Sequence, residues 1–234
     1  MSQRARGLFV TGTDTGIGKT EVACGLLRAF AELGYSVIGM KPVAAGARRV
    51  RGTWRNSDVE AMRNAGNLHI ARKLMNPYVF ARPIAPHLAA QRTGTDIEIN
   101  TIVHAYRQLT ARADVVVVEG VGGFLVPLSD RYDTADLARR LDLPVILVVG
   151  MRLGCLSHAL LTAAAIADRG LVFAGWVANR VEPAMREYRG NVMALEKRLD
   201  APLLGEIAYR SQFAARRVEV DRSLKRARLL RCLE

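Results

Sequence analysis

Cysteine is scarce in this sequence of 234 residues: Cys24, Cys155 and Cys232 are odd in number, far apart, and form no Cys-x-x-Cys pair. That suggests neither a disulfide framework nor a zinc site. The four histidines, His69, His87, His104 and His158, show no ligand spacing either, so a metal is expected to be held by oxygen atoms. No apolar run approaches the roughly 18–20 residues of a membrane span. Too few apolar residues follow Met1-Ser2-Gln3-Arg4-Ala5-Arg6 to make the hydrophobic region of a signal peptide. The expectation is a cytoplasmic protein with no membrane partner.

Negative charge is the minority, 22 acidic against 34 basic residues for a net charge of +12, and aromatic residues make up only 6%. A basic chain invites a nucleic-acid reading. Here the basic residues are spread along the chain and thicken only near its end, at Arg210, Arg216, Arg217, Arg222, Lys225, Arg226, Arg228 and Arg231. Acidic and apolar residues, not aromatic ones, lie among them, so that run reads as solvated surface and no nucleic-acid partner is expected. Lysine is the rarer cation: only Lys19, Lys41, Lys73, Lys197 and Lys225 among the 34. In so arginine-rich a chain, a lysine at a glycine-flanked strand end is expected to serve as a compact point charge. Lys41 is such a residue.

What is present is globular: half the residues are hydrophobic and 24% charged, enough for one large domain over residues 1–234. Short apolar, β-branched runs fall at Leu8–Val10, Val37–Met40, Val115–Val118, Val145–Val149, Val172–Ala178 and Leu203–Ile207. Helical patterns separate them, near Thr20–Leu33, Ile97–Ala111, Thr134–Leu141, Ser157–Arg169 and Ala184–Leu199, with Thr134 a candidate N-cap and Gly170 a candidate stop. That alternation predicts parallel βαβ units: an α/β fold, a mostly parallel central sheet with helices on both faces. The runs at Val115 and Val145 lack polar alternation, as central strands covered on both sides do. Ala44–Asn100 is irregular, with weak helical pieces at Val59–Asn64 and Pro86–Arg92; it reads as a long functional insertion.

The first strand runs into Thr11-Gly12-Thr13-Asp14-Thr15-Gly16-Ile17-Gly18-Lys19-Thr20, and a helical pattern follows at once. Strand, glycine turn, Gly-Lys-Thr and helix is the layout of a phosphate-binding P-loop. Backbone N–H groups of Gly16, Ile17 and Gly18 would cradle phosphate oxygens at the positive end of the helix dipole. Lys19 would meet the β/γ-phosphates of ATP, and the Thr20 hydroxyl would ligate Mg²⁺. Ligands in open parallel sheets bind beyond the C-terminal strand ends. Those ends carry Lys41, then Glu119-Gly120-Val121-Gly122-Gly123, then Asn179-Arg180. Glu119 suits a carboxylate on Mg²⁺, or else a solvent-facing strand end. Asp58, in Asn56-Ser57-Asp58, suits either a second Mg²⁺ carboxylate or part of a helix N-cap. Lys41 is either a second ammonium opposite Lys19 or a solvated strand-end lysine.

Residues Gly12–Thr20, Met40-Lys41-Pro42-Val43, Asn56-Ser57-Asp58, Asn76-Pro77-Tyr78, Pro83-x-x-Pro86-His87, Val118-Glu119-Gly120-x-Gly122-Gly123, Val145-x-Leu147-Val148-x-Gly150, Leu153-Gly154-Cys155, Gly175–Asn179 and Pro202–Glu206 occur in that order. Over about residues 7–210 the chain resembles the dethiobiotin synthetases, whose own P-loop has the extra residue found here between Gly12 and Gly18. The resemblance implies a Mg²⁺- and ATP-dependent ring closure on 7,8-diaminononanoate with CO₂ (or bicarbonate), through a carbamate and a carbamic-phosphoric anhydride. It places Thr15, Lys19 and Lys41 where carbamate meets γ-phosphate, with Thr20, Asp58 and Glu119 on Mg²⁺. It also assigns Asn179 to adenine and the backbone around Ala208, Tyr209 and Arg210 to closing that pocket. Gly154, Cys155, Leu156 and Ser157 would receive the substrate carboxylate, from the partner subunit of a homodimer. Three positions depart from the pattern: Ala45 for a substrate-binding Ser, Ser157 for an Asn, and Asn191 for a Tyr, with Tyr188 nearby.

Other readings are less compatible. A partition-type ATPase needs a lysine five residues before Lys19, where Asp14 has the opposite charge. A corrin-precursor amidotransferase ligase needs a glutaminase domain for which the chain is too short. A related ligase acting on another small amine or carboxylate remains the alternative.

Overall fold

The computed structural model describes residues 6–209, 220–221, 223–224 and 226–233. Six parallel strands form its central sheet: β1 (Arg6–Gly12), β2 (Val37–Met40), β7 (Val115–Glu119), β8 (Val145–Met151), β9 (Phe173–Arg180) and β10 (Leu203–Ile207), in the order β10-β9-β8-β1-β7-β2. All six expected strands are present, and the sheet is the parallel α/β type anticipated.

Strand β7 shows why. Its four valines are fully buried and point alternately to two layers. Val116 and Val118 join the cluster containing Ile102 and Leu109 of α5 (Ile99–Thr110) and Leu137 of α6 (Thr134–Leu141). Val115 and Val117 join the cluster containing Val22, Leu26, Leu27 and Phe30 of α1 (Lys19–Glu32). A β-branched residue at every position satisfies both faces, each buried side chain contributing about 1.5–3 kcal/mol. A third cluster packs Leu147, Val149 and Trp176 against α7 (Cys155–Asp168) and α8 (Tyr188–Glu196).

The insertion is more ordered than its composition suggests. It holds a parallel pair, β3 (Val43–Ala45) with β6 (Tyr78–Phe80), and an antiparallel hairpin, β4 (Arg48–Val50) with β5 (Thr53–Arg55). Helices α2 (Ser57–Ala65), α3 (Arg72–Met75) and α4 (Pro86–Arg92) complete it. Three-residue strands are too short to show a period, which is why they read as loop.

One expectation needs correction. The N-cap of α6 is Asp133, not Thr134: Asp133 accepts the Asp136 N–H at 2.8 Å, and Asp136 accepts the Asp133 N–H at 3.1 Å, a reciprocal capping box. The Thr134 hydroxyl instead donates to the Phe124 carbonyl. Of the basic C-terminal run, Arg210, Arg216, Arg217, Arg222 and Lys225 lie outside the described residues; Arg231 is exposed, and Arg228, in α9 (Arg226–Arg231), donates to the Leu203 carbonyl. The apolar residues nearby, Val220, Leu224, Leu229, Cys232 and Leu233, are buried in the same cluster as the α1 side chains. The backbone conformation at Gly170 (φ 66°) bears out the expected stop after α7.

Arg169 at the end of α7 bonds both Asp133 (3.0 Å) and Asp136 (2.5 Å), so the capping box also joins two helices. Asp133→Ala is expected to lower unfolding stability by about 1–2 kcal/mol in urea titrations, and Asp133→Asn to retain most of the cap.

Candidate active site

Every strand of the central sheet points its C-terminal end to the same edge, so the loops after β1, β2, β7, β8 and β9 meet there. After β1 the chain turns through Gly16 (φ 72°) and Gly18 (φ 88°) before α1 begins at Lys19. Position 18 admits only glycine on two counts. Its φ is left-handed, and an added Cβ would lie 2.2 Å from Asn179 Nδ2. Asn179 donates from that same nitrogen to the Ile17 carbonyl at 2.7 Å, tying the end of β9 to the loop.

The loop borders a cleft of about 1050 Å³ lined by Thr15, Gly16, Gly18, Lys19, Thr20, Lys41, Ala45, Asp58, Glu119 and Gly122, with Pro83–Pro86 and Val126 opposite. A recess of about 110 Å³ adjoins it across Gly16, Gly18 and Glu21, bounded by Asn179, Arg180, Ala208 and Tyr209. The two spaces share the P-loop, as a triphosphate and its base would require.

At the centre of the cleft the charges are mutually dependent. Lys41 follows β2 and is 6% exposed; its Nζ bonds Glu119 Oε1 and lies 3.1 Å from Asp58 Oδ2. Thr20 Oγ1 donates to the same Glu119 oxygen at 2.9 Å. Glu119 is 1% exposed, and its other oxygen, Oε2, is buried with no hydrogen-bond partner. Burial alone would disfavour the charged form of Lys41, but Glu119 and Asp58 outweigh it and hold the ammonium above the ordinary lysine range. Burial prevails at Glu119, whose carboxyl is raised against the pull of Lys41.

Asn56, not Asp58, caps α2, accepting the N–H groups of Asp58 (3.0 Å) and Val59 (3.3 Å). The Asp58 carboxylate is thereby free to face Lys41. Thr20, Asp58 and Glu119 together offer the hard oxygen donors that a small divalent cation prefers, and the bare Glu119 Oε2 is a buried acceptor facing no donor. Among the described residues no group of three or more His, Cys, Asp or Glu side chains could hold a metal by itself. These oxygens fit Mg²⁺ only if phosphate oxygens or water supply the remaining ligands.

Lys19 donates to the Asp14 carbonyl at 2.6 Å. Burial draws its pKa down to about 8, with repulsion from Lys41 adding to the effect and Glu119 opposing it. Asp14 also accepts the Thr15 N–H at 2.7 Å and pairs with Arg152 beyond β8.

The remaining expected residues differ in placement. Ile17 buries its side chain beneath the loop, close to Gly12 and Gly150, which leaves the role expected of its backbone N–H untouched. Gly120 faces the Phe9 ring and is also outside the lining, whereas Gly122 is within it. Arg180 borders the recess while its guanidinium lies 5.2 Å from the Tyr188 ring. Arg210 lies outside the described residues. Gly154, Cys155, Leu156 and Ser157 do open α7, but none of them lines this chain's own cleft. Asn191 turns back to the Glu187 carbonyl at 2.9 Å.

Two contributors had no assigned role at the sequence level. Asn76 donates to the carbonyls of Lys41 (2.7 Å) and Tyr78 (2.8 Å), clamping the backbone that carries the buried ammonium. Its signal was the Asn-Pro-Tyr triplet. Arg152 had no signal, because its partner lies 138 positions away.

The sequence matches the AAA domain family over residues 6–217. It is 57% identical over 204 residues to the ATP-dependent dethiobiotin synthetase BioD of Aromatoleum aromaticum, covering 87% of this chain and 91% of that protein. It is 53% identical over 211 residues to the same enzyme of Nitrosospira multiformis, covering 90% and 92%. Among solved structures, the MinD cell division protein of Aquifex aeolicus superposes with a TM-score of 0.56 at 13% identity, covering 98% of this chain and 95% of that one. The septum site-determining protein MinD complexed with Mg-ADP from Pyrococcus horikoshii gives 0.55 at 15%, covering 96% and 88%. The last two likenesses describe the fold alone.

Removing one member of a buried ion pair strands the other. Lys41→Met is therefore expected to destabilise the protein by about 3–5 kcal/mol in urea unfolding, and Lys41→Met/Glu119→Leu to recover most of the loss. An unchanged midpoint in the single variant would show that Lys41 is not held by Glu119 in solution.

Proposed function

We infer the reaction from one premise: the chain belongs to the ATP-dependent dethiobiotin synthetase family, and is an ATP-dependent ligase that forms a C–N bond in biotin biosynthesis. Beyond that, we propose that it closes the ureido ring of dethiobiotin on 7,8-diaminononanoate with CO₂, releasing ADP and phosphate. The observation that carries this reading is the convergence of Lys19 and Lys41 on one cleft with Thr20, Asp58 and Glu119.

One substrate amine adds to CO₂ and becomes a carbamate. A carbamate oxygen attacks the γ-phosphorus while the bond to the departing ADP oxygen breaks. The second amine then attacks the carbamoyl carbon, and phosphate leaves. No protein nucleophile is needed. The chain must instead hold two anions in contact, and positioning with charge neutralisation is most of what phosphoryl transfer asks of a protein. Lys19, released from the Asp14 carbonyl, would meet the β- and γ-phosphates, and Lys41, kept charged by its carboxylates, would face the carbamate and γ-phosphate beside Thr15. Thr20, Asp58 and Glu119 would hold Mg²⁺, which when bound supplies further neutralisation of phosphate charge. The recess at Asn179, Arg180, Ala208 and Tyr209 would take adenine.

The N-terminus of α7, at Gly154–Ser157, would bind the substrate carboxylate in the cleft of a second copy, making the protein a homodimer. That arrangement is what the resemblance implies, and in this chain these residues open α7. The departure at Ala45 leaves an apolar methyl at the cleft wall where the family pattern has a hydroxyl, so one hydrogen bond to the diamine is missing or moved.

Phosphate release from ATP should require both 7,8-diaminononanoate and bicarbonate; release independent of the diamine would favour a ligase for another small substrate. With Lys19 at about 8 in the free enzyme, its charge is present below that pH and lost above it. Measured kcat/KM for ATP should therefore fall above about pH 8, while kcat at saturating ATP holds to higher pH because bound phosphates favour the ammonium. Mixing Lys41→Gln subunits with Ser157→Asp subunits should restore about a quarter of wild-type turnover, because one site of each mixed dimer is then intact. No recovery would place both residues in the same subunit's site.

A further inference from the structure

The β4–β5 hairpin takes no part in the chemistry above, yet both of its ends enter the cleft. It leaves from Ala45 and returns to Ser57 and Asp58, all three lining the cleft, and Asn56 closes its base by donating to the Ala45 carbonyl at 2.9 Å. The turn at its tip is the two-residue type with both φ positive, Arg51 at 48° and Gly52 at 81°, which gives the tight right-handed twist of a short hairpin. The hairpin is therefore a defined projection at the cleft mouth rather than a wandering loop.

Its charge is one-sided. Arg48, Arg49, Arg51 and Arg55 fall within eight residues, and no acidic residue occurs between Val43 and Asp58. Arg55 turns inward toward Glu60, 3.6 Å away, which Arg72 also holds at 2.6 Å. Arg48, Arg49 and Arg51 are exposed, and among the described residues none has an acidic partner within ion-pair distance. Arg49 stands opposite Trp54 across the ladder, so an aromatic ring shares a face with that guanidinium. Unpaired arginines on a rigid hairpin raise the positive potential where a ligand enters. Fields of this kind speed anion association without touching the bound state.

We propose that this hairpin steers the anionic nucleotide triphosphate into the cleft, with Arg48, Arg49 and Arg51 acting before binding and not during chemistry. The proposal rests on the reading that the cleft binds ATP. It distinguishes between the two organic substrates: the diamine carries two amines and one carboxylate, is not a net anion, and gains nothing from a positive field.

The test uses full-length Arg48→Glu/Arg49→Glu/Arg51→Asn protein, Asn being a residue that accepts positive φ. Association of a fluorescent ATP analogue with Mg²⁺ is followed by stopped flow over a series of salt concentrations. Its association rate constant should fall about tenfold at low salt, with a shallower salt dependence. At about 1 M salt, where the screening length is about 3 Å, variant and wild type should coincide. Turnover at saturating ATP and kcat/KM for the diamine should be unchanged. A control, Arg107→Glu/Arg112→Glu, reverses charges around the end of α5, which leads into β7 at the edge opposite the cleft; it should leave association nearly untouched. An unchanged rate constant in the hairpin variant, or an equal loss in the control, would overturn the proposal. So would a fall in saturated turnover, which would mean that the arginines act within the site. If nucleotide associates as described but no diamine-dependent phosphate appears, the reaction assigned above fails and the steering stands.

Discussion

A lysine ammonium and a glutamate carboxylate buried side by side are the constraint around which this site is built. Neither Lys41 nor Glu119 would survive charged in that environment alone, since desolvating one unpaired ion costs several kcal/mol. Each is delivered by an adjacent parallel strand, β2 and β7, whose register sets Met40 beside Val118. The pair therefore depends on the sheet, and the sheet's valines depend on both helical layers to cover them. Asn76 extends the dependence into the insertion by holding the Lys41 carbonyl. Three chain segments distant in sequence are thus committed to one buried charge. The bond network is also asymmetric: Glu119 Oε1 receives Lys41 and Thr20 while Oε2 receives nothing. A buried carboxylate with one oxygen doubly hydrogen-bonded and the other bare is a different arrangement from a closed structural salt bridge.

How much of this was legible beforehand follows from the range of each interaction. The six strands and their common polar edge were legible because burial on two faces demands uninterrupted apolar residues, a signal contained within each run. The P-loop was legible because its glycines answer a local demand of φ and space. Asp58 was not decided by its neighbours: Asn-Ser-Asp serves capping and ligation equally well until Asn56 is seen to take both N–H groups. The capping of α6 was displaced by one residue because Asp133 and Thr134 are both good caps, and the Arg169 guanidinium favours the aspartate. The docking of Val220 and Leu224 on α1 was not legible for a different reason. Arginines dominate the composition of that segment, while its apolar residues are too few to show a period.

The wall of α1 shows how such docking becomes possible. An added Cβ at Gly25 would lie 2.4 Å from Val220 Cγ1, so the glycine in mid-helix opens the space that Val220 and Leu224 fill. Three residues further along α1, Arg28 takes Asp221 through Nε and Nη2 at 2.8 and 2.6 Å. A helix that begins at the phosphate loop is thereby packed on both flanks. A mid-helix glycine is normally unfavourable by about 1 kcal/mol relative to alanine, and here the buried Val220 and Leu224 side chains offset it.

Asp14, the one acidic residue of the phosphate loop, turns its carboxylate back to its own chain. It takes the Arg152 guanidinium and the Thr15 N–H, and its carbonyl takes Lys19. Arg152 sits two residues before Gly154, the N-cap of α7, so one ion pair connects the phosphate loop to that helix N-terminus. Lys19 can reach a phosphate only by leaving the Asp14 carbonyl, while Arg152 keeps the Asp14 carboxylate neutralised and the loop in shape. The negative residue within an anion-binding loop is thus offset by the cation beyond β8 that pairs with it.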